Sequence, residues 1–132
     1  LEHIKDDQNT LNLMKKELKK NGILYLFLPA KMFLWSGMDE AVGHYRRYEF
    51  KEIKIKCERA GFKIKKIQYV DSIGFFASLA IKFFGYEIND GLGSKKSIKF
   101  YDKYIFPISK IFDMIGFKYL FGKNLLIIAK KS

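Results

Sequence analysis

Cysteine, histidine, proline and long apolar runs are all scarce in this sequence of 132 residues. The single cysteine, Cys57, cannot form an internal disulfide, which fits a reducing compartment. Because Cys57 falls on the apolar face of a predicted helix, we expect a buried structural thiol rather than a reactive one. The most apolar stretch, residues 73–86, contains Lys82 and is shorter than the roughly 20 residues of a membrane-spanning helix. The first residues show no secretory signal, so we expect a cytoplasmic protein that is soluble or peripheral to a membrane.

Acidic residues are also few, with 14 of them against 25 basic ones, which gives a formal net charge of +11. A charge of this size invites nucleic acid or an anionic membrane surface as a partner. The lysines, however, occur in short groups on the solvent faces of predicted elements. This pattern favours a compositional bias as the origin of the positive charge. Attraction to a membrane surface is the second interpretation, and both are favoured over nucleic-acid binding.

The sequence contains enough apolar residues to form the core of one folded domain. Hydrophobic residues make up 48% and aromatic residues 17% of the chain, which excludes a disordered class. Leu11, Met14 and Leu18 recur at helical spacing before a turn at residues 21–22. The unbroken apolar run at residues 23–28 then predicts a strand that is covered on both faces.

The rest of the chain continues an alternation of helices and strands. Apolar residues at helical spacing predict a helix over residues 50–60, which Gly61 closes. Residues 62–70 alternate apolar and polar side chains with one slip in phase at Lys65-Lys66, as expected of a strand near a sheet edge. The remaining predicted segments are helices at 71–86 and 98–115, the second interrupted by Pro107, a turn at 89–94 and a strand at 124–129. The predicted class is α/β, but three strands leave the edge of strand 23–28 unpaired, so we expect further strands or self-association there.

Groups that bind or transfer protons are concentrated between the first strand and the second helix. This loop holds Asp39, Glu40, His44, Tyr45, Arg46, Arg47 and Tyr48. A packed core does not need such a density of polar groups, and α/β proteins keep their sites in loops that follow strands. We therefore expect the functional site in this loop.

Five ordered segments resemble class I S-adenosylmethionine-dependent methyltransferases, in particular the methyltransferase type 11/12 group. The matching segments are LEHIKDD at 1–7, LKKNGILYLFLPA at 18–30, LWSGMD at 34–39, GHYRRY at 43–48 and AGF at 60–62. The family fold is a Rossmann-like sheet of seven strands in the order 3-2-1-4-5-7-6, with the last strand antiparallel. The resemblance maps the three predicted strands on strands five, six and seven, so that residues 1–132 form the C-terminal part of one methyltransferase domain. Residues 71–119 would be a helical insertion that covers the acceptor.

The resemblance also implies that part of the cofactor site lies outside this chain. The family's Gly-rich loop after strand one and its acidic residue after strand two have no counterpart here, and the glycines at 91 and 93 are better interpreted as a linker. The chain is therefore expected to be a fragment with an incomplete S-adenosylmethionine site. The implied cofactor contacts are Leu1, Glu2 and His3.

The implied activity is methyl transfer to a small-molecule or a lipid- or saccharide-linked acceptor. When the acceptor is a hydroxyl group, a histidine is a useful base. His3 and His44 fall in the loops after strands four and five, which should face one crevice, and both are candidate catalytic residues. For each histidine a structural role in its loop stays open. Glu2 and His3 alone supply too few ligands for a metal, so none is predicted.

The candidate acceptor-binding residues are Trp35, Asp39, Arg46, Arg47 and Tyr48. One arginine is expected to hold the loop through Asp39 or Glu40, while the other meets an anionic acceptor. Tyr48 could stack on the acceptor or pack against the next helix, and Trp35 could anchor a lid. The alternative to an enzyme is a non-catalytic interaction or membrane-surface module derived from a methyltransferase.

Overall fold

The structure is a computed structural model that describes residues 1–85 and 94–132. The predicted turn at 89–94 lies outside the described residues except for Ser94, and the glycines at 91 and 93 lie outside them entirely.

The three predicted strands form one sheet. They are β1 (Ile23–Pro29), β2 (Phe62–Val70) and β3 (Asn124–Lys131), and their order is β1-β3-β2. The last strand pairs antiparallel with both neighbours, so β1 and β2 run parallel to each other and end at the same edge. The prediction that the last strand lies antiparallel between the other two is therefore confirmed.

The phase slip in β2 is a bulge in its pairing with β3. Ile64 pairs with Ala129 and Lys66 with Ile128, so Lys65 is the extra residue of the strand. Among the described strands, β2 pairs only with β3, which confirms its predicted place at the edge of the sheet.

The prediction that β1 is covered on both faces is wrong for the described residues. Leu26 and Leu28 are buried, but Ile23, Tyr25 and Phe27 on the opposite face are 40%, 67% and 55% exposed. The described helices around 7–17 and 50–59 pack against one face only. An unbroken apolar run indicates a strand, but it does not show what covers each face.

Nine helical segments are present in the described residues. The α-helices are α1 (Asp7–Glu17), α2 (Gly37–Ala41), α3 (Phe50–Arg59), α4 (Ser72–Phe84), α5 (Lys95–Phe100) and α6 (Phe106–Met114). Short 3-10 helices span Met32–Leu34 and Phe117–Tyr119, and a π-helical turn spans Tyr101–Ile105. None of the described helices is long and apolar enough to cross a membrane.

Local signals explain where several helices begin and end. The Asp6 carboxylate accepts a hydrogen bond from the Asn9 amide at 3.0 Å and caps α1. Gly61 with φ 84° ends α3, as predicted. The first helix ends earlier than predicted, since α1 stops at Glu17 with Leu18 extended, and Asn21 with φ 64° turns the chain only after that. Pro107 is tolerated in the first turn of α6, directly after the π-helical turn.

The core lies between the sheet and helices α1 and α3. Its buried side chains are Leu11, Leu26, Leu28, Ile53, Cys57, Leu125 and Ile127. Burial raises the pKa of Cys57 to about 11, so its thiol stays protonated near neutral pH. The predicted buried thiol is confirmed.

Candidate functional site

The loop at residues 43–48 returns to the carboxyl end of β1. Ala30 and Tyr48 form an isolated parallel bridge, in which the Tyr48 amide donates to the Pro29 carbonyl at 2.8 Å. The Lys31 amide donates in turn to the Tyr48 carbonyl at 3.0 Å. This backbone connection fixes the polar loop at the edge where β1 ends.

Asp39 is the centre of the loop's hydrogen bonds, and it is only 1% exposed. Its carboxylate accepts from the Ser36 amide at 3.1 Å and from Arg47 Nε at 2.9 Å to each oxygen. His44 Nδ1 lies 2.8 Å from Asp39 Oδ1. A buried carboxylate that accepts from this many donors holds each of them in place.

The contact with Asp39 decides which nitrogen of His44 is available. Because a carboxylate only accepts, Nδ1 carries the proton that it donates, and Nε2 of the neutral ring keeps its lone pair. Nε2 lies 4.0 Å from Glu2 Oε1, and the side chain is 16% exposed. His44 is therefore oriented to accept a proton from a group in front of Nε2.

The first three residues lie beside His44, as the sequence predicted for the two histidine-bearing loops. The Tyr45 amide donates to the Glu2 carbonyl at 2.8 Å. His3 Nδ1 lies 3.2 Å from the Gly43 carbonyl, and the rings of His3 and His44 meet edge to face at 4.7 Å. His3 is more open to solvent than His44, with 52% of its side chain exposed.

Glu2, His3 and His44 could together hold a divalent metal ion. Each offers one ligand atom, and the three atoms lie within 4.8 Å of one another. Two imidazoles and one carboxylate suit zinc or iron, and the Asp39 carboxylate behind His44 is a typical second partner of a metal-bound histidine. The sequence alone predicts no metal, because only the Glu2-His3 pair is counted as ligands there, and the third ligand, His44, comes from a loop that is distant in sequence.

Arg46 and Tyr48 bind a second buried carboxylate, that of Asp7. The Arg46 guanidinium lies 2.7 Å from Asp7, and the Tyr48 hydroxyl donates to it at 3.0 Å. Lys56 Nζ lies 2.6 Å from the same carboxylate. Burial alone would raise the pKa of Asp7, but the bonds from Lys56, Arg46 and Tyr48 outweigh it and lower that pKa.

Arg46 and Tyr48 were predicted to bind the methyl acceptor. The structure places both in a hydrogen-bond network around Asp7 that is separate from the network around Asp39. Tyr48 is fully buried, and its burial together with the Asp7 charge raises the pKa of its hydroxyl. Arg47, not Arg46, pairs with Asp39. Trp35 is half-buried, and its Nε1 donates to Glu40 Oε1 at 3.3 Å.

Two neighbouring cavities open next to His44. The smaller has a volume of about 210 Å³ and is lined by Glu2, Asp39, His44 and Arg47, among others. The larger, about 360 Å³, lies under α4 and α5, and the two share Phe27, Met38, Lys123 and Asn124. A wider groove of about 690 Å³ between α3 and β2 lies away from both histidines.

Lys123, Asp71 and Tyr101 line the larger cavity, and sequence reasoning missed all three. Lys123 directly precedes β3. Because β3 runs antiparallel to β1 and β2, its first residues lie at the edge where those strands end. The antiparallel last strand was therefore the signal that could have pointed to Lys123.

The comparisons with known proteins bear on the fold. No known protein family and no curated protein matches the sequence. The structure is similar to the crystal structure of a SAM-dependent methyltransferase from Archaeoglobus fulgidus, with a TM-score of 0.52 and 18% sequence identity. The similarity covers 98% of this chain and 55% of that chain, so this chain spans about half the length of that protein. The fold is thus methyltransferase-like.

Proposed function

We propose that this chain forms the acceptor-side wall of an S-adenosylmethionine-dependent methyltransferase. The observation that carries the proposal is the Asp39–His44 pair, whose imidazole lines a cavity at the carboxyl end of β1. Open α/β sheets bind their ligands at that edge. The methyltransferase-like fold supports the choice of reaction. The acceptor class is a small molecule or a lipid- or saccharide-linked molecule.

In the proposed mechanism the protein aligns the acceptor and removes one proton. Bound S-adenosylmethionine would supply an electrophilic methyl group on a sulfonium sulfur. His44 Nε2 accepts the proton of an acceptor hydroxyl, while Asp39 holds the ring and stabilises the imidazolium that forms. Arg47 fixes the Asp39 carboxylate from the other side. Phe27, Met38 and Val42 supply apolar parts of the cavity wall.

The described residues fit only one edge of S-adenosylmethionine. The cavity of about 210 Å³ beside Glu2 and His44 can admit the sulfonium end of the molecule, and of the first three residues Glu2 lines it. No described strand is followed by a glycine-rich loop, since β1 leads into Ala30-Lys31 and β2 into Asp71. Leu1, Glu2 and His3 would therefore hold the reactive end, while other residues hold the nucleoside.

Two measurements test the proposal. The product of the whole gene should transfer labelled methyl groups from S-adenosylmethionine to a hydroxyl-bearing acceptor, and failure with a broad acceptor panel would overturn the proposal. This chain alone should show no tight binding of S-adenosylhomocysteine in calorimetry. A micromolar dissociation constant would show instead that the cofactor site is complete here.

A specific surface supports a second candidate function, contact with an anionic membrane. Large apolar side chains of the helices between β2 and β3 are exposed, among them Phe83 at 73%, Phe84 at 85%, Met114 at 80% and Ile115 at 71%. The same helices carry Lys82, Lys95, Lys96, Lys99, Lys103 and Lys110. Apolar side chains flanked by lysines are typical of helices that lie on lipid.

Vesicle sedimentation tests the membrane contact. The chain should bind vesicles that contain phosphatidylglycerol and release them as the salt concentration rises, since salt screens the lysine charges. Vesicles of phosphatidylcholine alone should bind far less. Equal binding to both, or none to either, would contradict the membrane function without affecting the methyltransferase proposal.

A further inference from the structure

Lys123 occupies a fixed position at the neck between the two cavities. It lines both of them, together with Phe27, Met38 and Asn124. Its backbone is held on two sides, because its amide donates to the Asp71 carbonyl at 3.0 Å and its carbonyl accepts from the Ala30 amide at 2.9 Å. The side chain therefore starts from a rigid point between the ends of β1 and β2.

The ammonium group of Lys123 has no anionic partner within the described residues. Neither a hydrogen bond nor an ion pair involves it there, and its closest aromatic contact is the Tyr101 ring, with Nζ 5.5 Å from the ring centroid. Burial lowers the pKa of Lys123, and the Arg47 charge acts in the same direction, against the charges of Asp71, Asp102 and Asp39. A half-buried cation without a partner is costly, so an anion at the neck would be stabilising.

Two of the three nearby carboxylates, Asp71 and Asp39, are already engaged by other donors, and the third, Asp102, is exposed and forms no ion pair with Lys123 in the described residues. The Tyr101 hydroxyl lies 2.6 Å from both oxygens of Asp71, and the Gly74 amide donates to Asp71 at 3.0 Å. Asp39 is bound by Arg47 and His44. The positive charge of Lys123 is therefore available to a ligand.

The size and the lining of the larger cavity suit an apolar ligand that contains a ring. Its volume of about 360 Å³ is at the small end of the roughly 300–1,000 Å³ usual for small-molecule sites. Three aromatic rings contribute to its wall, Phe27, Tyr101 and Phe106, together with the aliphatic Ile81 and Ile98. A ligand of one or two rings fits this size and this lining.

The wall of this pocket is held in shape by a strained residue. Asp71 is 2% exposed and has φ 64°, a left-handed conformation that is uncommon outside glycine and asparagine. Asp113 accepts from the amides of Asp71 and Ser72 at 2.7 Å and 3.1 Å, and so holds the first turn of α4. Such strain persists only where the surroundings fix it, and it often marks a preorganised site.

We propose that the two cavities bind a small aromatic carboxylate, with its ring in the larger cavity and its carboxylate on Lys123 at the neck. A substituent next to the carboxylate then extends into the smaller cavity toward His44 Nε2. That this ligand is the methyl acceptor rests on the proposed function. The binding itself does not rest on it.

The test compares two probes by calorimetry on the whole chain, 2-naphthoate and 2-naphthalenemethanol, which share the naphthalene ring and differ in whether the head group is an anion. Wild-type protein should bind 2-naphthoate more tightly. Lys123→Met removes the charge and keeps the aliphatic part of the side chain. It should weaken the binding of 2-naphthoate about ten- to hundredfold, which is the range expected when a hydrogen bond to a charged group is lost. The same variant should change the affinity for 2-naphthalenemethanol less than about threefold.

Two matched controls separate specific effects at the two cavities from general effects of removing a charge or adding a large side chain. Lys99→Met removes the same charge from an exposed residue of α5 that does not line either cavity, and should leave both affinities unchanged. Ile81→Trp fills the larger cavity and should abolish binding of both probes, whereas Phe83→Trp on the exposed face of the same helix should not. Thermal melts confirm that each variant is folded.

Several outcomes would overturn the inference. They are absence of 2-naphthoate binding, equal loss in Lys123→Met and Lys99→Met, and unchanged binding in Ile81→Trp. If 2-naphthoate binds through Lys123 but the whole gene product transfers no methyl group to any acceptor, the pocket is supported and the proposed function fails. The two ideas can therefore fail separately.

Discussion

Two adjacent arginines, Arg46 and Arg47, bind two different buried carboxylates. Arg46 pairs with Asp7 at 2.7 Å, and Arg47 with Asp39 at 2.9 Å. Both carboxylates are nearly inaccessible, with Asp7 4% and Asp39 1% exposed. The two carboxylates are therefore alike in burial. They differ in the exposure of the cations that bind them and in what else each carboxylate holds.

The difference lies in access to a cavity. The remaining donors to Asp7 are Tyr48 in the core and Lys56 on α3, and they tie α1 to α3 and to the end of β1. Asp39 instead holds His44, whose other nitrogen faces a cavity. The same kind of carboxylate thus stabilises the fold in one network and orients a candidate base in the other.

The largest expected effect comes from removing the base while keeping its bond to Asp39. In His44→Asn the amide nitrogen can still donate to Asp39, but nothing replaces the lone pair of Nε2. For a hydroxyl acceptor, the rate of methyl transfer by the whole gene product should fall about 10²- to 10⁴-fold, the usual contribution of a general base. Single-turnover transfer of a labelled methyl group measures it.

The matched control for this variant is His3→Asn. His3 is half-exposed and its Nδ1 contacts only the Gly43 carbonyl, so its loss should lower the rate far less. An equal loss in both variants would mean that the two histidines act together. A loss confined to His3→Asn would assign the base to His3 and contradict the role given to His44.

The next largest effect is expected on the free energy of unfolding, to which the two carboxylates should contribute unequally. Asp39→Asn leaves the charge of Arg47, 4% exposed, without a counter-ion and should cost about 3–5 kcal/mol. Asp7→Asn should cost about 1–2 kcal/mol, because Arg46 and Lys56 are 23% and 21% exposed and can turn to water. Urea unfolding measures both, and the reverse order would contradict the ranking.

The sequence was sufficient to predict the three strands and the longer helices, but not α2 or the short 3-10 helices. The apolar run of β1, the phase slip at Lys65-Lys66 and the Gly61 turn each have a local physical cause, and each was predicted. The resemblance to methyltransferases gave the position of β3 between β1 and β2. It also implied that His3 and His44 face one crevice, and their rings do meet in the structure.

The choice of partners within the site could not be predicted in the same way. Asp7 lies in a helix that precedes β1, and nothing in its neighbourhood along the chain indicates that Arg46, Tyr48 and Lys56 converge on it. Which of two adjacent arginines meets Asp39 depends on the path of the loop back to Ala30. Lys123 was missed because a lysine before a strand is usually a solvated residue.

A smaller effect is a pH dependence of stability that arises in the Asp7 network. The pKa of Asp7 is lowered in the folded protein, so its ionised form stabilises the fold above the unfolded pKa of about 4, and this stability is lost as the pH falls through the folded value. The difference in unfolding free energy between wild type and Asp7→Asn should therefore be full at pH 7 and shrink below about pH 4. Urea titrations across this range measure it, and a difference that stayed constant would contradict the linkage.

The smallest effect is expected at Trp35, which lies in neither carboxylate network. In Trp35→Phe the bond from Nε1 to Glu40 at 3.3 Å is lost, but both groups can reach water, so stability should change by less than about 1 kcal/mol. The KM for the acceptor should also stay constant, since Trp35 lines neither of the two cavities. A raised KM with unchanged stability would place Trp35 over the acceptor, and the site would then extend beyond the loop that Asp39 organises.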